Sequence, residues 1–497
     1  LKQFLLVVMG SQTSMPPKKR DASASAGGLH KKPAQKKPAV APAPLKPVVP
    51  GRVPIFVMMP LDWLADDALG LRNPQKLRGQ LSALKTAGVQ GVMADVWWGL
   101  CEPEAKQYRF GGVHALCAML HELGLKLQAT MAFHKCGGNV GDAVTFPLPQ
   151  WALDPAREKK LLYCSRSGVV SEDCLSLSAD NEELFAGSDG AKRTALACYT
   201  DYIAAFVAHC KDHIGTTVVE LQVGMGPCGE LRYPSYMLSN GWQYPGVGIV
   251  MAHDSGMLQM LASATSMKEP PASLPEEQNG KPDDCAVFRA SKKEPEQFRV
   301  GEGKEFLQWY SKVLVEHGEA LLNAAADALT STSIAKDSLE LSVKVSGLHW
   351  HVMHPSRATE ACAGYDCCTE SKADAYSTIA EMLARTADKT GRPMIFNFTC
   401  LEMNNWSNAM PETLSAPEDL IAQVRKACIT HGVPLSGENA LEFDLSTGEW
   451  AFNQMNKQLR GWSPGRDRMH ALTILRLNDK FVSDESLQEL GKFVSST

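Results

Sequence analysis

The chain has 497 residues, 44% of them hydrophobic and 21% charged, with a net charge of −5. That length admits about three average domains or one α/β barrel with long loops. No apolar run approaches the roughly 20 residues of a spanning helix, which excludes a membrane-embedded chain, and 40 bases against 54 acids beyond residue 52 leave a body that will not grip nucleic acid.

Residues 1–52 are a different kind of sequence. They hold ten Lys or Arg and one acid, Asp21, with Lys18-Lys19-Arg20, Lys31-Lys32-Pro33 and Lys36-Lys37-Pro38 leading into Ala-Pro repeats. So little apolar surface cannot offset the entropy of ordering, and the segment is expected to be disordered. An acid-poor leader containing Ser and Ala fits an organelle transit peptide, a solvated linker being the plainer alternative. Leu1 is not an initiator, so Met9 or Met15 is the expected start.

From Pro54 onward, eight short apolar runs predict strands: Val53 to Met59, Gly91 to Val96, Leu125 to Phe133, Val218 to Val223, Leu339 to Val345, Met394 to Thr399, Val433 to Gly437 and Ala471 to Leu477. Helical periodicities fall between them, among others at Pro74 to Ala87, Val113 to Leu123, Ala195 to His213, Lys304 to Leu329, Ala373 to Arg385 and Pro417 to His431. Eight strands alternating with helices predict a closed parallel (β/α)8 TIM barrel, one domain over 53–497. In such a barrel the site is built by loops leaving the carboxyl ends of strands. The two longest excursions, 134–194 and 224–338, follow strands three and four and are the expected pocket walls.

The strand exits are rich in polar groups. Strand two ends in Asp95-Val96-Trp97-Trp98, strand three runs into His134, and strand four into Gly229-Glu230-Leu231-Arg232-Tyr233. Strand five carries Lys344 ahead of His349 and Trp350, strand six leads to Thr399 and Glu402, strand seven to Glu438-Asn439-Ala440, and strand eight is read as holding Arg476. Carboxylates and amides pair with hydroxyls while indole faces stack on a sugar ring, so the mixture suits a neutral polyhydroxylated ligand. Cleaving a glycosidic bond takes one carboxyl to protonate the leaving oxygen and a second to activate water or attack carbon. Glu230 and Glu438, on strands four and seven, face each other across the expected mouth.

The segments GVMADVWWGLCE, LQATMAFHKCGGNVGD, ELQVGMGPCGELRYPSY, VKVSGLHW, FNFTCLEM and SGENALEFD resemble those of the β-amylases, glycoside hydrolase family 14, in order over about residues 53–480. The resemblance implies a barrel that cleaves starch or another α-1,4-glucan from non-reducing ends and releases maltose with inversion, without a metal or other cofactor. It puts the general acid on Glu230 and the base on Glu438. Asp95, His134 and Asp142 match sugar-binding positions, Asp142 on a mobile loop freed by Gly137, Gly138 and Gly141. Lys344 and His349 match residues gripping glucose units, Thr399 an inner-loop threonine, and Asn439, Ala440 and Arg476 the remaining contacts. Glu402 matches a site glutamate expected to support rather than to transfer protons. Asn404 and Asn405 stand where the family has a basic residue and an aspartate, and Arg357 where it has histidine. The wording looks closest to plastid members, which agrees with the leader and predicts the chloroplast stroma, the cytoplasm being the alternative.

Other readings carry less. Gly224-Met225-Gly226-Pro227-Cys228-Gly229 fits a dinucleotide fingerprint, but Pro227 sits inside it, Pro234 and Pro245 prevent a long helix from opening there, and no ribose-binding acid ends a second strand about 20 residues on. His349, His351 and His354 lack an evident carboxylate or cysteine to complete a metal site, as do Cys362, Cys367 and Cys368. The 14 scattered cysteines are read as reduced thiols, mostly small apolar fillers, with Cys136 and Cys228 flanking the expected site. The rival functional class is a barrel of this kind that binds glucan without turning it over, which the survival of both glutamates disfavours.

Overall fold

The computed structural model describes residues 51–138, 142–187, 190–406, 411–461 and 467–497. The basic leader, except for Gly51 and Arg52, and Gly141 of the predicted mobile loop lie outside the described residues.

Eight parallel strands close on themselves in chain order: β1 (Ile55–Met58), β2 (Gly91–Trp97), β3 (Lys126–Ala132), β4 (Val218–Val223), β5 (Glu340–Val345), β6 (Met394–Phe398), β7 (Leu435–Glu438) and β8 (Leu472–Ile474), with β8 back against β1. Each is followed by a helix of the outer ring: α1 (Pro74–Thr86), α2 (Gly111–Leu123), α3 (Ala195–His209), α4 (Gly301–Ser331), α5 (Ala375–Thr390), α6 (Pro417–His431), α7 (Glu449–Arg460) and α8 (Asp484–Ser496). This is the predicted (β/α)8 TIM barrel. Local chemistry sets its punctuation. Pro417 opens α6 at a position where no amide hydrogen is needed, and Gly124, Gly391 and Gly432 end α2, α5 and α6 in the left-handed region. At Gly91 a Cβ would sit 2.3 Å from the Lys126 carbonyl oxygen, so only glycine lets β2 lie this close to β3.

Strand and helix ends shift from the sequence expectation by a few residues. β7 starts at Leu435 and takes in Glu438. β8 ends at Ile474, so Arg476 lies beyond the strand that was expected to hold it; the alternation of Leu475 and Leu477 outlasts the ladder. α5 begins at Ala375 because the Asp374 carboxylate caps it, accepting from the Ser377 amide at 3.3 Å. α3 ends at His209, and Lys211–His213 is a separate single turn.

The two long excursions are tied to the barrel and to each other. Asp254, which caps the helix Ser255–Ala264 of the second, accepts from Ser178 Oγ at 2.7 Å and Ser176 Oγ at 3.1 Å in the first. His317 on α4 reaches Asp180 Oδ2 at 2.6 Å through Nδ1 and the Met225 carbonyl at 3.0 Å through Nε2. Burial works against the imidazolium, Asp180 favours it, and the His317 pKa is raised. Buried bonds of this kind fix both walls relative to the strands.

The amino-terminal half of the barrel interior carries a buried polar layer. Gln128 donates to Glu220 Oε2 at 2.7 Å and accepts from Thr473 at 2.9 Å, while His470 Nε2 lies 2.9 Å from Glu340 Oε2. Glu220 and Glu340 are in-register neighbours on β4 and β5. Elsewhere one apolar cluster runs between barrel and helices, and a small one of Trp97, Ala132 and Cys136 underlies the loop after β3. Among the described residues no helix is long and apolar enough to cross a membrane.

Candidate active site

Glu230 lies seven residues past β4, on a segment that turns through Cys228 (φ 58°) and Gly229 (φ 74°) and then runs back beside β5. The Leu231 amide donates to the Lys344 carbonyl at 2.8 Å, which fixes that return. The Glu230 side chain is buried, and Oε2 accepts from Arg232 Nε at 2.6 Å and Ser346 Oγ at 2.9 Å. Arg232 is itself clamped: its guanidinium lies 4.3 Å from the Tyr236 ring centroid and reaches Cys228 Sγ at 3.2 Å. Cation–π contact and desolvation make such a guanidinium hard to move.

Glu438 is the last residue of β7 and fully buried. Asn397 Nδ2 donates to its Oε1 at 2.6 Å, and Lys344 Nζ sits 2.6 Å from its Oε2. Burial disfavours the Lys344 ammonium, but Glu438, Glu230 and Asp95 more than offset it and raise its pKa. One lysine thus lies between the two glutamates, bonded to Glu438 by its side chain and to the Glu230 segment by its backbone.

The other residues singled out in sequence group around this pair. Asp95, at the end of β2, has its pKa raised by burial, against Arg476 and Lys344, with Glu438 and Asp142 adding to the rise. His134 is buried, packs edge-on to Trp97 at 5.4 Å and has its pKa lowered to about 3 by burial, then Lys344 and Arg232. Arg476 Nη1 donates to the Met59 carbonyl at 3.1 Å, with Nε 3.6 Å from Glu442. Thr399 Oγ1 accepts from the Gly347 amide at 2.7 Å. His349 stands farther along, Nδ1 2.8 Å from Ser415 Oγ, against a wall of Tyr244 and Trp350; burial lowers its pKa to about 4.

Glu402 lies behind Glu438. It accepts from the amides of Ala440 and Leu441, each at 3.0 Å, and so pins the turn that follows β7. Burial raises its pKa to about 7. Asn439 braces the same turn, accepting from the Leu475 amide at 2.8 Å and donating to the Leu441 carbonyl at 2.7 Å. Cys136 pairs its backbone with Phe146, closing the loop that carries Asp142. At Gly137 (φ 95°) a Cβ would meet the Val144 carbonyl oxygen at 2.6 Å, so that loop start requires glycine. Burial pushes the thiols of Cys136 and Cys228 up to about 12, which leaves them poor nucleophiles.

Sequence reasoning singled out no role for Arg232, Ser346 or Asn397. Arg232 stands two residues from Glu230 in extended chain, a spacing that puts both on one side, and Asn397 is the in-register neighbour of Lys344 across β5 and β6. The other two histidines weighed as a metal cluster with His349 bond elsewhere: His351 Nδ1 lies 2.8 Å from Thr359 and His354 Nδ1 2.8 Å from Ser356. Where a dinucleotide would need a helix after Gly224, the chain makes only the turn Pro227–Gly229. Arg357, in place of the family's histidine, forks onto the buried Glu360.

The family model for glycosyl hydrolase family 14 matches residues 56–497. The chain belongs to that family. Over 452 residues, 89% of this chain and 76% of the relative, it is 39% identical to the protein named beta-amylase 2, chloroplastic, of Oryza sativa subsp. japonica. It is 39% identical over 456 residues to beta-amylase 1, chloroplastic, of Arabidopsis thaliana, covering 90% of this chain and 75% of that one. Among solved structures, the beta-amylase catalytic domain of Paenibacillus polymyxa superposes with a TM-score of 0.69 at 26% identity, over 90% of this chain and 98% of that one. A family 14 barrel is a glycosidase, and its mouth is where the buried glutamates lie.

Proposed function

We propose that this family 14 enzyme hydrolyses α-1,4-glucan from non-reducing ends and releases β-maltose by inversion, with Glu230 as general acid and Glu438 as general base. The observation that carries the reading is the opposite treatment of the two carboxyls. Both bonds to Glu230 fall on Oε2, which leaves Oε1 to meet the leaving glycosidic oxygen with a proton. Glu438 is held on both sides, Oε1 accepting from Asn397 and Oε2 facing the Lys344 ammonium, which fixes it in place to draw a proton from water. As the bond breaks, positive charge grows on the sugar ring. Asp95 and Glu438 are the acids beside it, and Lys344 keeps their mutual repulsion in check.

In this reading His134, Asp142, Lys344, His349, Thr399, Asn439, Ala440 and Arg476 hold the glucose units, and Glu402 keeps the Ala440 turn in place. His134 and His349 are buried and neutral, so they offer directional bonds to hydroxyls without a charge to desolvate. Purified protein given soluble starch should yield maltose as its small product. Glucose, a ladder of longer oligosaccharides, or retention of glucan with no turnover would each defeat the proposal. Plastid delivery by residues 1–52 is proposed as well, supported by their basic composition and by the names of the rice and Arabidopsis relatives. A fluorescent fusion begun at Met9 or Met15 should enter plastids; a purely cytosolic signal would refute it.

A further inference from the structure

Tryptophan is placed sparingly on the surface of this protein. Of the nine described tryptophans seven are buried or half-buried, while Trp406 is 84% and Trp450 41% exposed. Both stand on the catalytic face, in adjacent connections. Trp406 follows Glu402 by four residues in the segment between β6 and α6, and Trp450 is the second residue of α7, just after the β7 exit loop. We propose that these two indoles form a glucan-docking platform on the rim outside the cleft, on which a long α-1,4-glucan chain rests while its non-reducing end enters the mouth; this rests on the glucan substrate proposed above.

The platform has a built base. Asn404 Oδ1 accepts from the Trp406 amide at 2.9 Å, which folds the backbone tightly beneath the indole. Asn405 and Glu418 exchange bonds, the Asn405 amide to Glu418 Oε2 at 3.1 Å and the Glu418 amide to Asn405 Oδ1 at 3.0 Å, fastening the segment to the first turn of α6. Glu418 in turn pairs with Lys457 of α7. Gln454 of α7 donates to the Met403 carbonyl at 2.9 Å. Trp450, Gln454 and Lys457 are spaced i, i+4, i+7 and share one face of α7, so Trp450 lies on the side of the helix that grips the Trp406 segment. It is the position nearest the catalytic end, and Phe443 backs it at a ring distance of 6.0 Å.

The chemistry of the patch selects a neutral sugar polymer. Two exposed indoles offer flat faces to the C–H side of glucose rings, and the amides of Asn404 and Asn405 stand where the family resemblance puts a basic residue and an aspartate. Asn404 and Asn405 beside Trp406 are uncharged amides, which suit hydroxyls better than an ionic partner. Leaving such large apolar side chains exposed to solvent has no packing return, whereas a polysaccharide many units longer than a cleft can cover them.

The test separates long from short substrate. Trp406→Ala, Trp450→Ala and the double variant are compared with the full-length parent for retardation in amylopectin-containing native gels and for hydrolysis of maltopentaose. Each single change should weaken amylopectin affinity roughly three- to tenfold, with the double change weaker still, while maltopentaose kcat and KM stay at the parent values. Trp406→Tyr should restore most of the retardation. Variants retarded like the parent, or a parent that amylopectin does not retard, would overturn the platform, and so would a maltopentaose KM that rises in parallel with the loss. Failure of the glucan reading itself would look different: the parent would hydrolyse neither substrate.

Discussion

One barrel buries two pairs of glutamates, and the pairs are built differently. Glu220 and Glu340 sit side by side on β4 and β5 in the amino-terminal half, enclosed by Gln128, Ser342, Thr473 and His470. Glu230 and Glu438 sit at the opposite end, on a return segment and a strand terminus, held by Arg232, Ser346, Asn397 and Lys344. Burial raises the Glu220 pKa to about 7, as it does for Glu402 behind the mouth, yet strand side chains enclose the first and backbone amides occupy the second. A perturbed carboxyl is therefore a poor guide to chemistry here. Position at the carboxyl ends of the strands distinguishes the pair proposed to do the chemistry.

The sharpest way to break this contrast is to neutralise one member of each pair. Glu230→Gln or Glu438→Gln should lower kcat by at least about 10³-fold with the fold intact, because proton donor and water activator act as a unit. Glu220→Gln should leave kcat within about threefold, since an amide oxygen can still accept from Gln128. Steady-state kinetics on maltopentaose decides: a large loss in Glu220→Gln would move function into the barrel interior.

A smaller effect is expected one step back from the mouth. Arg232→Lys keeps the charge but loses the fork and the flat stacking on Tyr236, so Glu230 should wander from its position. We expect kcat to fall about 10- to 100-fold with KM nearly unchanged and the basic limb of the pH profile, which the general acid sets, displaced. An unaltered pH profile would reduce Arg232 to packing.

In the interior the effect should appear in stability instead. Glu340→Ala leaves His470 without its carboxylate partner and should cost about 3 kcal/mol in denaturant unfolding, with kcat retained by the folded fraction. Little change in the midpoint would mean that water takes the place of the carboxylate.

The smallest signatures are in pH dependence, and the two regions should tilt it in opposite directions. His134 and His349 have folded pKa values of about 3 and about 4, below the usual 6.5, so their contribution is complete above pH 6.5 and is lost as pH falls towards 4. Glu220 has a folded pKa of about 7, above the usual 4.5, so its contribution is complete below pH 4.5 and is lost as pH rises through 7. His349→Asn should flatten the acid side, and Glu220→Gln the neutral side, each by up to about 1.4 kcal/mol per pH unit. Chemical denaturation from pH 4 to 8 reads both slopes; parallel curves for variant and parent would contradict the assignment.

What the sequence made legible follows from how local each signal is. Eight apolar runs with turn residues between them are local patterns, and the barrel they predict is the barrel observed. Glu230, Glu402 and Glu438 stood out because each follows a strand and lies in a long motif. Asn397 and Ser346 did not, since their value comes from contacts between segments 41 and 116 residues apart. The same holds for the Gln128, Glu220, Glu340 and His470 layer, which looks in sequence like isolated polar residues inside apolar strands. Arg476 was placed in a strand because Leu475 and Leu477 on either side of it continue the apolar run, although the regular strand ends at Ile474. Asn405 read as a lost charge; in the fold it is a capping partner of α6.

The central claim is that Glu438 activates a water on the far side of the bond that Glu230 protonates. Proton NMR of maltopentaose hydrolysis, recorded in the first minutes before mutarotation, reads it directly. The account predicts that the first maltose signal is the β-anomer; an initial α-anomer would mean retention through a covalent intermediate and would contradict it.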